Sequence, residues 1–375
     1  MQKNFPNAGP VFGFPTAFSL PGGIYNETPT RIVFGWGSLS RLSDEVKQLG
    51  ARRALVISTP GRRDMAQAIS AQLGVLSVGV YPEAVSQVPI ELVEAGCRDV
   101  VELGADCLVA VGGGASTGLG KGIALHTGLP LIAIPTTYSG SEMTGFCGIT
   151  IRGVKRMHSG IRMLPRTIIY DEELTISLPL QVSVDSAMNA LAHCVEALYV
   201  KTASPITALA AAEGIRVLNA SMRRLAQTPD DVSARSGALY GSFLGGAALT
   251  GGFALHHGVA HVLGGTYGLP HAVSHSVALP YVTAYNETAA PEAMRTIAAI
   301  FGTSSAAAGV YDFARAIGAP VCLADYGISP GDLERCAEIV VETDNGLNPR
   351  KVTKEGVLRI LEAALKAQRP EGMAN

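Results

Sequence analysis

D-C-L-V-A-V-G-G-G-A-S-T-G-L-G-K, residues 106–121, decides the fold. Its first half is a continuous apolar run, the pattern of a parallel strand covered on both faces. Three successive glycines follow, where the strand turns into a helix. Glycine there lets the backbone approach a ligand closely, and the helix N-terminus offers free N–H groups and the positive end of its dipole to a pyrophosphate. The run lacks the G-x-G-x-x-G dinucleotide fingerprint. Nor is it a P-loop, because Gly122 stands where Ser or Thr would follow Lys121.

Outward from this stretch, similar strands alternate with helices. R-I-V-F-G-W-G begins at Arg31, A-L-V-I-S-T-P covers 54–60, V-L-S-V-G-V-Y follows, and L-P-L-I-A-I-P-T-T covers 129–137. Between them lie a capped helix closed by Gly50 and another from about Pro89 to Leu103. Residues 24–180 therefore read as a doubly wound α/β dinucleotide-binding domain. After Pro179 alanine-rich segments with helical periodicity and no strand runs take over, so 181–375 reads as an all-α helical catalytic domain. Residues 1–23, punctuated by Pro6, Pro10, Pro15 and Pro21, read as an N-terminal extension and not as a secretory signal.

Composition narrows the function. The 375 residues are 47% hydrophobic and 16% charged, a compact globular balance. A net charge of -2 gives no footprint for nucleic acid. No apolar run has the roughly 18 residues a membrane span needs. The six cysteines have no metal-ligand spacing and read as reduced thiols, so the expected setting is cytoplasmic.

Two further clusters carry chemistry. P-T-T-Y-S-G-S-E-M-T (135–144) ends a strand with short hydroxyl donors, and ligands of doubly wound folds bind at the carboxyl ends of strands. A-L-H-H-G-V-A-H-V-L-G-G-T-Y-G-L-P-H-A-V-S-H-S-V-A-L-P (254–280) holds five of the eight histidines. His257 and His261 share one helix face, and His271 returns beyond a glycine-rich turn. Such a cluster can line a metal site or a proton-transfer site. Glu196, three residues after His193, reads as a helix-face residue pairing locally.

Together with L-P-R-T-I-I-Y-D and M-N-A-L-A-H-C-V-E-A-L-Y, these motifs resemble the iron-containing alcohol dehydrogenase superfamily from Pro29 onward, and within it look closest to the maleylacetate reductases. The resemblance implies a dehydroquinate synthase-like fold with its active site between the two domains. It implies NADH or NADPH as cofactor, held by Thr59, Pro60, Gly113, Gly114, Ala115, Gly118, Thr136, Thr137, Ser141 and Lys155. It also implies a homodimer.

The departures are informative. Metal-dependent members use an aspartate, a histidine four residues later and two histidines fourteen apart; this chain has His193, His257 and His271 but Asn189 at the aspartate position. An amide is a poor ligand for a hard divalent cation, so a catalytic metal is not expected. Gly118 stands where those members have an aspartate near the nicotinamide. The turn I-S-T-P-G (57–61) lacks the acid that would exclude a 2′-phosphate, so both cofactors are expected to be accepted.

Without a metal, fixed donors must stabilise charge on the substrate oxygen. The expected reaction is reduction of the carbon–carbon double bond of maleylacetate to 3-oxoadipate in aromatic compound degradation. The catalytic candidates are His261, His257, His271 and His193, with His261 or His257 giving the proton. For the small dicarboxylate substrate they are Asn189, Tyr138 and Arg162, the last in the basic stretch 155–162. The competing readings are a metal-dependent alcohol or aldehyde dehydrogenase of the same superfamily and a non-catalytic nucleotide-binding subunit.

Overall fold

The computed structural model describes residues 30–370; the extension expected at 1–23 lies outside them. Six parallel strands form one sheet: β1 (Arg31–Phe34), β2 (Ala54–Ile57), β3 (Ser77–Tyr81), β4 (Cys107–Gly112), β5 (Leu131–Pro135) and β8 (Thr167–Tyr170). Their spatial order is β1-β8-β5-β4-β2-β3. Helices α1 (Leu42–Gln48), α2 (Arg63–Leu73), α3 (Ile90–Leu103) and α4 (Gly114–Thr127) cover it.

Alternation along β4 shows why the strand is apolar throughout. Val109 and Val111 join Leu42, Val46, Ala66 and Ile69 on one face. Leu108 and Ala110 join Val93, Val100, Leu119 and Ile123 on the other. Successive side chains point to opposite faces, so a strand with helices on both sides has no polar position.

The strand order reverses between β2 and β4. From β2 the chain steps outward to β3, and from β4 it steps the other way to β5 and then β8. That switch point opens a crevice at the carboxyl ends of the strands.

An antiparallel hairpin interrupts the pattern, β6 (Phe146–Ile151) paired with β7 (Val154–Ser159). β6 is not legible in the sequence, because F-C-G-I-T-I is a short half-buried run next to a polar loop. From Leu180 the chain is helical: α5 (Leu180–Ala197), α6 (Pro205–Gln227), α7 (Val232–Leu249), α8 (Leu255–Gly265), α9 (His271–Asn286), α10 (Pro291–Phe301), α11 (Ala306–Ala316), α12 (Leu333–Glu342) and α13 (Lys354–Leu365). One apolar core runs from Ala133, Tyr138 and Tyr170 into α5, α6 and α7, binding the sheet to the helices. A second unites α8, α9, α12 and α13.

Pro291–Ala316 is long and apolar enough, taken together, to cross a membrane, which the sequence reading did not anticipate. Gly302 breaks it into α10 and α11, whose Met294, Ile297, Val310 and Phe313 are buried in the first core.

Candidate active site

The loops after β2, β4 and β5 meet at the switch point. Thr59 precedes the 3-10 turn Pro60–Arg62 and is partly accessible, with Pro60 exposed. Gly113, Gly114 and Ala115 form the accessible N-terminus of α4. Thr136 is buried, its N–H bonded to the Gly112 carbonyl at 2.9 Å, while Thr137 and Ser141 remain partly accessible. A Cβ on Gly113 would lie 3.0 Å from the Thr137 side chain, so any larger residue would press on that threonine.

Gly118 is not on that surface. It is buried within α4, and a Cβ there would sit 2.8 Å from Val88 Cγ2 and 3.3 Å from Cys147 Sγ. Packing against the loop before α3 and against β6 is what this glycine serves, and it leaves no room for an aspartate.

The loop 135–144 is clamped from two sides. A Cβ on Gly140 would fall 2.6 Å from the Ser242 carbonyl oxygen on α7, and Gly140 has φ +75. Both facts require glycine. From α4, Lys121 Nζ donates to Ser141 O at 2.6 Å, Thr144 Oγ1 at 3.0 Å and Phe146 O at 3.1 Å.

The histidines come from three helices. His193 on α5 stacks on His257 of α8, with ring centroids 5.3 Å apart. His261, one turn later on α8, stacks on His271 at the start of α9 at 6.2 Å. His275 lies among them, 4.6 Å from His271 and 4.9 Å from His257, and its Nδ1 shares a hydrogen bond with His256 Nε2 at 2.9 Å. Phe253 packs on both His257 and His261 and touches Phe146 of β6. Burial, followed by neighbouring imidazoles, holds His193 and His275 well below the ordinary histidine value. Burial brings His256 down to about 3.

Glu196 corrects the sequence reading. It is wholly buried and pairs far along the chain: Oε1 accepts from His256 N at 2.8 Å, and Oε2 bonds His257 Nδ1. The signal was its spacing. Three residues after His193 puts both on one helical face, but only tertiary packing brings α8 to that face.

Asn189 is buried, and its Nδ2 donates to Ser139 O at 3.0 Å, leaving Oδ1 without a partner. His193 Nδ1 and His257 Nε2 are also buried and unpaired. An amide is a weaker ligand for a divalent ion than the carboxylate that metal-dependent members carry. At that position this chain has Asn189, and the nearby carboxylate of Glu196 is engaged by His256 and His257.

Lys155 on β7 lays its stem over Gly148 of β6. Burial lowers its pKa, and its charge is felt at His261 and His271. Arg162 is exposed, in the short turn Ile161–Met163. Tyr138 is wholly buried in the sheet–helix core, its hydroxyl accepting from Arg235 Nη1 at 3.3 Å and its N–H donating to Ser186. The structure thus brings together the imidazoles and Asn189, and seats Tyr138 apart in the core.

Comparison with known proteins accounts for this layout. Residues 29–172 match the iron-containing alcohol dehydrogenase model, and residues 183–365 match the C-terminal model of the same family. The chain belongs to the iron-containing alcohol dehydrogenase family. Within it, the chain groups with the maleylacetate reductases and is an oxidoreductase. It is 46% identical to the maleylacetate reductase of Burkholderia cepacia, over 91% of this chain and 97% of that protein. The solved maleylacetate reductase of Agrobacterium tumefaciens superposes with TM-score 0.90 at 42% identity, over 94% of this chain and all of that one. A putative alcohol dehydrogenase of Ralstonia eutropha JMP134 gives 0.91 at 48% identity, with the same coverage.

Proposed function

We propose that this chain is a maleylacetate reductase that works without a catalytic metal, reducing the carbon–carbon double bond to give 3-oxoadipate. The single observation that carries the reading is the imidazole cluster of His193, His257, His261 and His271, with Asn189 one helical turn before His193 where the family's carboxylate would stand. NADH or NADPH would lie along Thr59, Gly113, Gly114, Ala115, Thr137 and Ser141, with Lys155 above it. When bound, the reduced cofactor supplies a hydride to the carbon β to the ketone.

The resulting enolate places negative charge on the keto oxygen. Imidazole N–H groups in a dry cavity stabilise such charge as fixed donors. Glu196 accepts from His257 Nδ1 and leaves Nε2 unpaired, so His257 donates from Nε2 only as the imidazolium, the form that also has a proton to give. Protonation at the α carbon completes the reaction, and His261 or His257 gives the proton. The substrate is a dianion, so Arg162 and Lys155 are the cations assigned to its carboxylates, and Asn189 the neutral hydrogen-bonding partner. The cytoplasmic, homodimeric form expected from the sequence belongs to the same reading, and sedimentation of purified protein tests the dimer.

The reaction is tested by following loss of reduced nicotinamide absorbance with maleylacetate beside simple aldehydes and ketones. Turnover of maleylacetate alone supports the reading. Turnover of simple aldehydes that depends on added iron or zinc would replace it with the metal-dependent dehydrogenase.

A further inference from the structure

Lys121 is 1% exposed and, among the described residues, has no carboxylate within salt-bridge distance. A buried ammonium without an ion pair is costly unless every proton is satisfied. Here each of its three protons has an acceptor, two on the hydroxyl loop and one on the hairpin. Ser141 O, at 2.6 Å, lies in the hydroxyl-rich loop. Thr144 Oγ1, at 3.0 Å, ends that loop. Phe146 O, at 3.1 Å, opens the hairpin that carries Lys155. Lys121 itself sits on α4, whose N-terminus is the pyrophosphate cradle.

We propose that Lys121 is a positioning residue that locks the cradle, the hydroxyl loop and the Lys155 hairpin into one cofactor-binding surface, and that it does so only as the ammonium. The inference rests on the cofactor reading above. A neutral amine carries two hydrogens for three acceptors, so deprotonation leaves one acceptor unserved and loosens the clamp.

Burial lowers the pKa of this lysine to about 8. The titratable groups facing it are Glu142 in the loop and Cys147 on β6. Burial pushes both upward, and Glu142 also accepts from Tyr170 at 2.8 Å. Burial also lowers the pKa of Lys155, which lies over the cofactor site, so loss of the alkaline transition in Lys121→Met is what assigns it to Lys121. The proton strengthens the clamp, so affinity for the cofactor is high below that value and falls as pH rises through it.

The test measures NADH and NADPH dissociation constants by cofactor fluorescence, without substrate, from neutral to alkaline pH. Lys121→Met should weaken binding about tenfold at neutral pH, as loss of a charge-assisted hydrogen-bond set does, and should remove the alkaline weakening seen in the wild type. Thr144→Val, which deletes one acceptor, should weaken binding severalfold and flatten the pH dependence, because a neutral amine can serve the two acceptors that remain, and it serves if the methionine variant fails to fold. KM for maleylacetate should move less than KM for the cofactor. Wild-type affinity in folded Lys121→Met or in Thr144→Val, or a wild-type affinity flat across the range, would overturn the proposal. Wild type that binds neither nucleotide at any pH would instead overturn the cofactor reading.

Discussion

Glu196 on α5 and His257 on α8 are 61 residues apart, and the carboxylate holds the imidazole by Nδ1 in a fully buried pair. The other oxygen of Glu196 caps the backbone of His256. One side chain therefore orients the ring and anchors the start of its helix. Burial pushes the Glu196 carboxyl up, but the charge and hydrogen bond of His257 more than offset this, and its pKa lies below the ordinary 4.5.

Glu196→Gln should lower kcat by about a hundredfold or more, because the amide favours the wrong imidazole tautomer, while KM changes little. Steady-state kinetics decides it. The same change bears on acid stability. A carboxyl depressed in the folded state stabilises above its unfolded value and loses that contribution as pH falls through the folded value. Urea unfolding of the variant should therefore respond less to pH below about 4.5 than the wild type does.

Asn189→Asp restores the family's anionic ligand position beside His193. Equilibrium dialysis should show zinc retained more tightly by the variant than by the wild type, by at least an order of magnitude. Tight stoichiometric zinc in the wild type, with activity lost on chelation and regained on loading, would end the metal-free reading.

Gly246→Ala should destabilise by about 2–4 kcal/mol. A Cβ there runs into the Gly140 carbonyl and lies 2.8 Å from Met143 Cβ, so helix α7 cannot keep its approach to the hydroxyl loop. Weaker NADH binding should accompany the fall in chemical-denaturation midpoint. An unchanged midpoint would mean that the two backbones separate freely.

Arg162→Ala should raise KM for maleylacetate about tenfold without lowering kcat, as loss of uniform binding does. Its exposed turn predicts no stability change beyond about 0.5 kcal/mol. Unchanged KM would remove Arg162 from the substrate site and leave Lys155 as the cation.

The parallel sheet was legible because both faces of its strands are buried, which leaves an apolar run unbroken by polar residues. The glycines at 112–114 marked where strand becomes helix for the same local reason. The hairpin was not legible, since half-buried strands such as Phe146–Ile151 draw their pattern from what packs on them. Gly118 illustrates the limit. Its sequence position implied contact with the cofactor, yet its neighbours Val88 and Cys147 arrive from elsewhere in the chain and make it a packing glycine.

By itself the sequence determined the α/β class, the helical second half, the loops that end the strands and the presence of the histidines, because each is a matter of local periodicity or residue type. Only the tertiary structure decided how those histidines pair. Glu196 meets His257, His275 meets His256, and Lys121 gathers three segments. Such pairings depend on which helix faces pack together, and the energy of a buried charge or imidazole depends on partners that the chain brings in from far away.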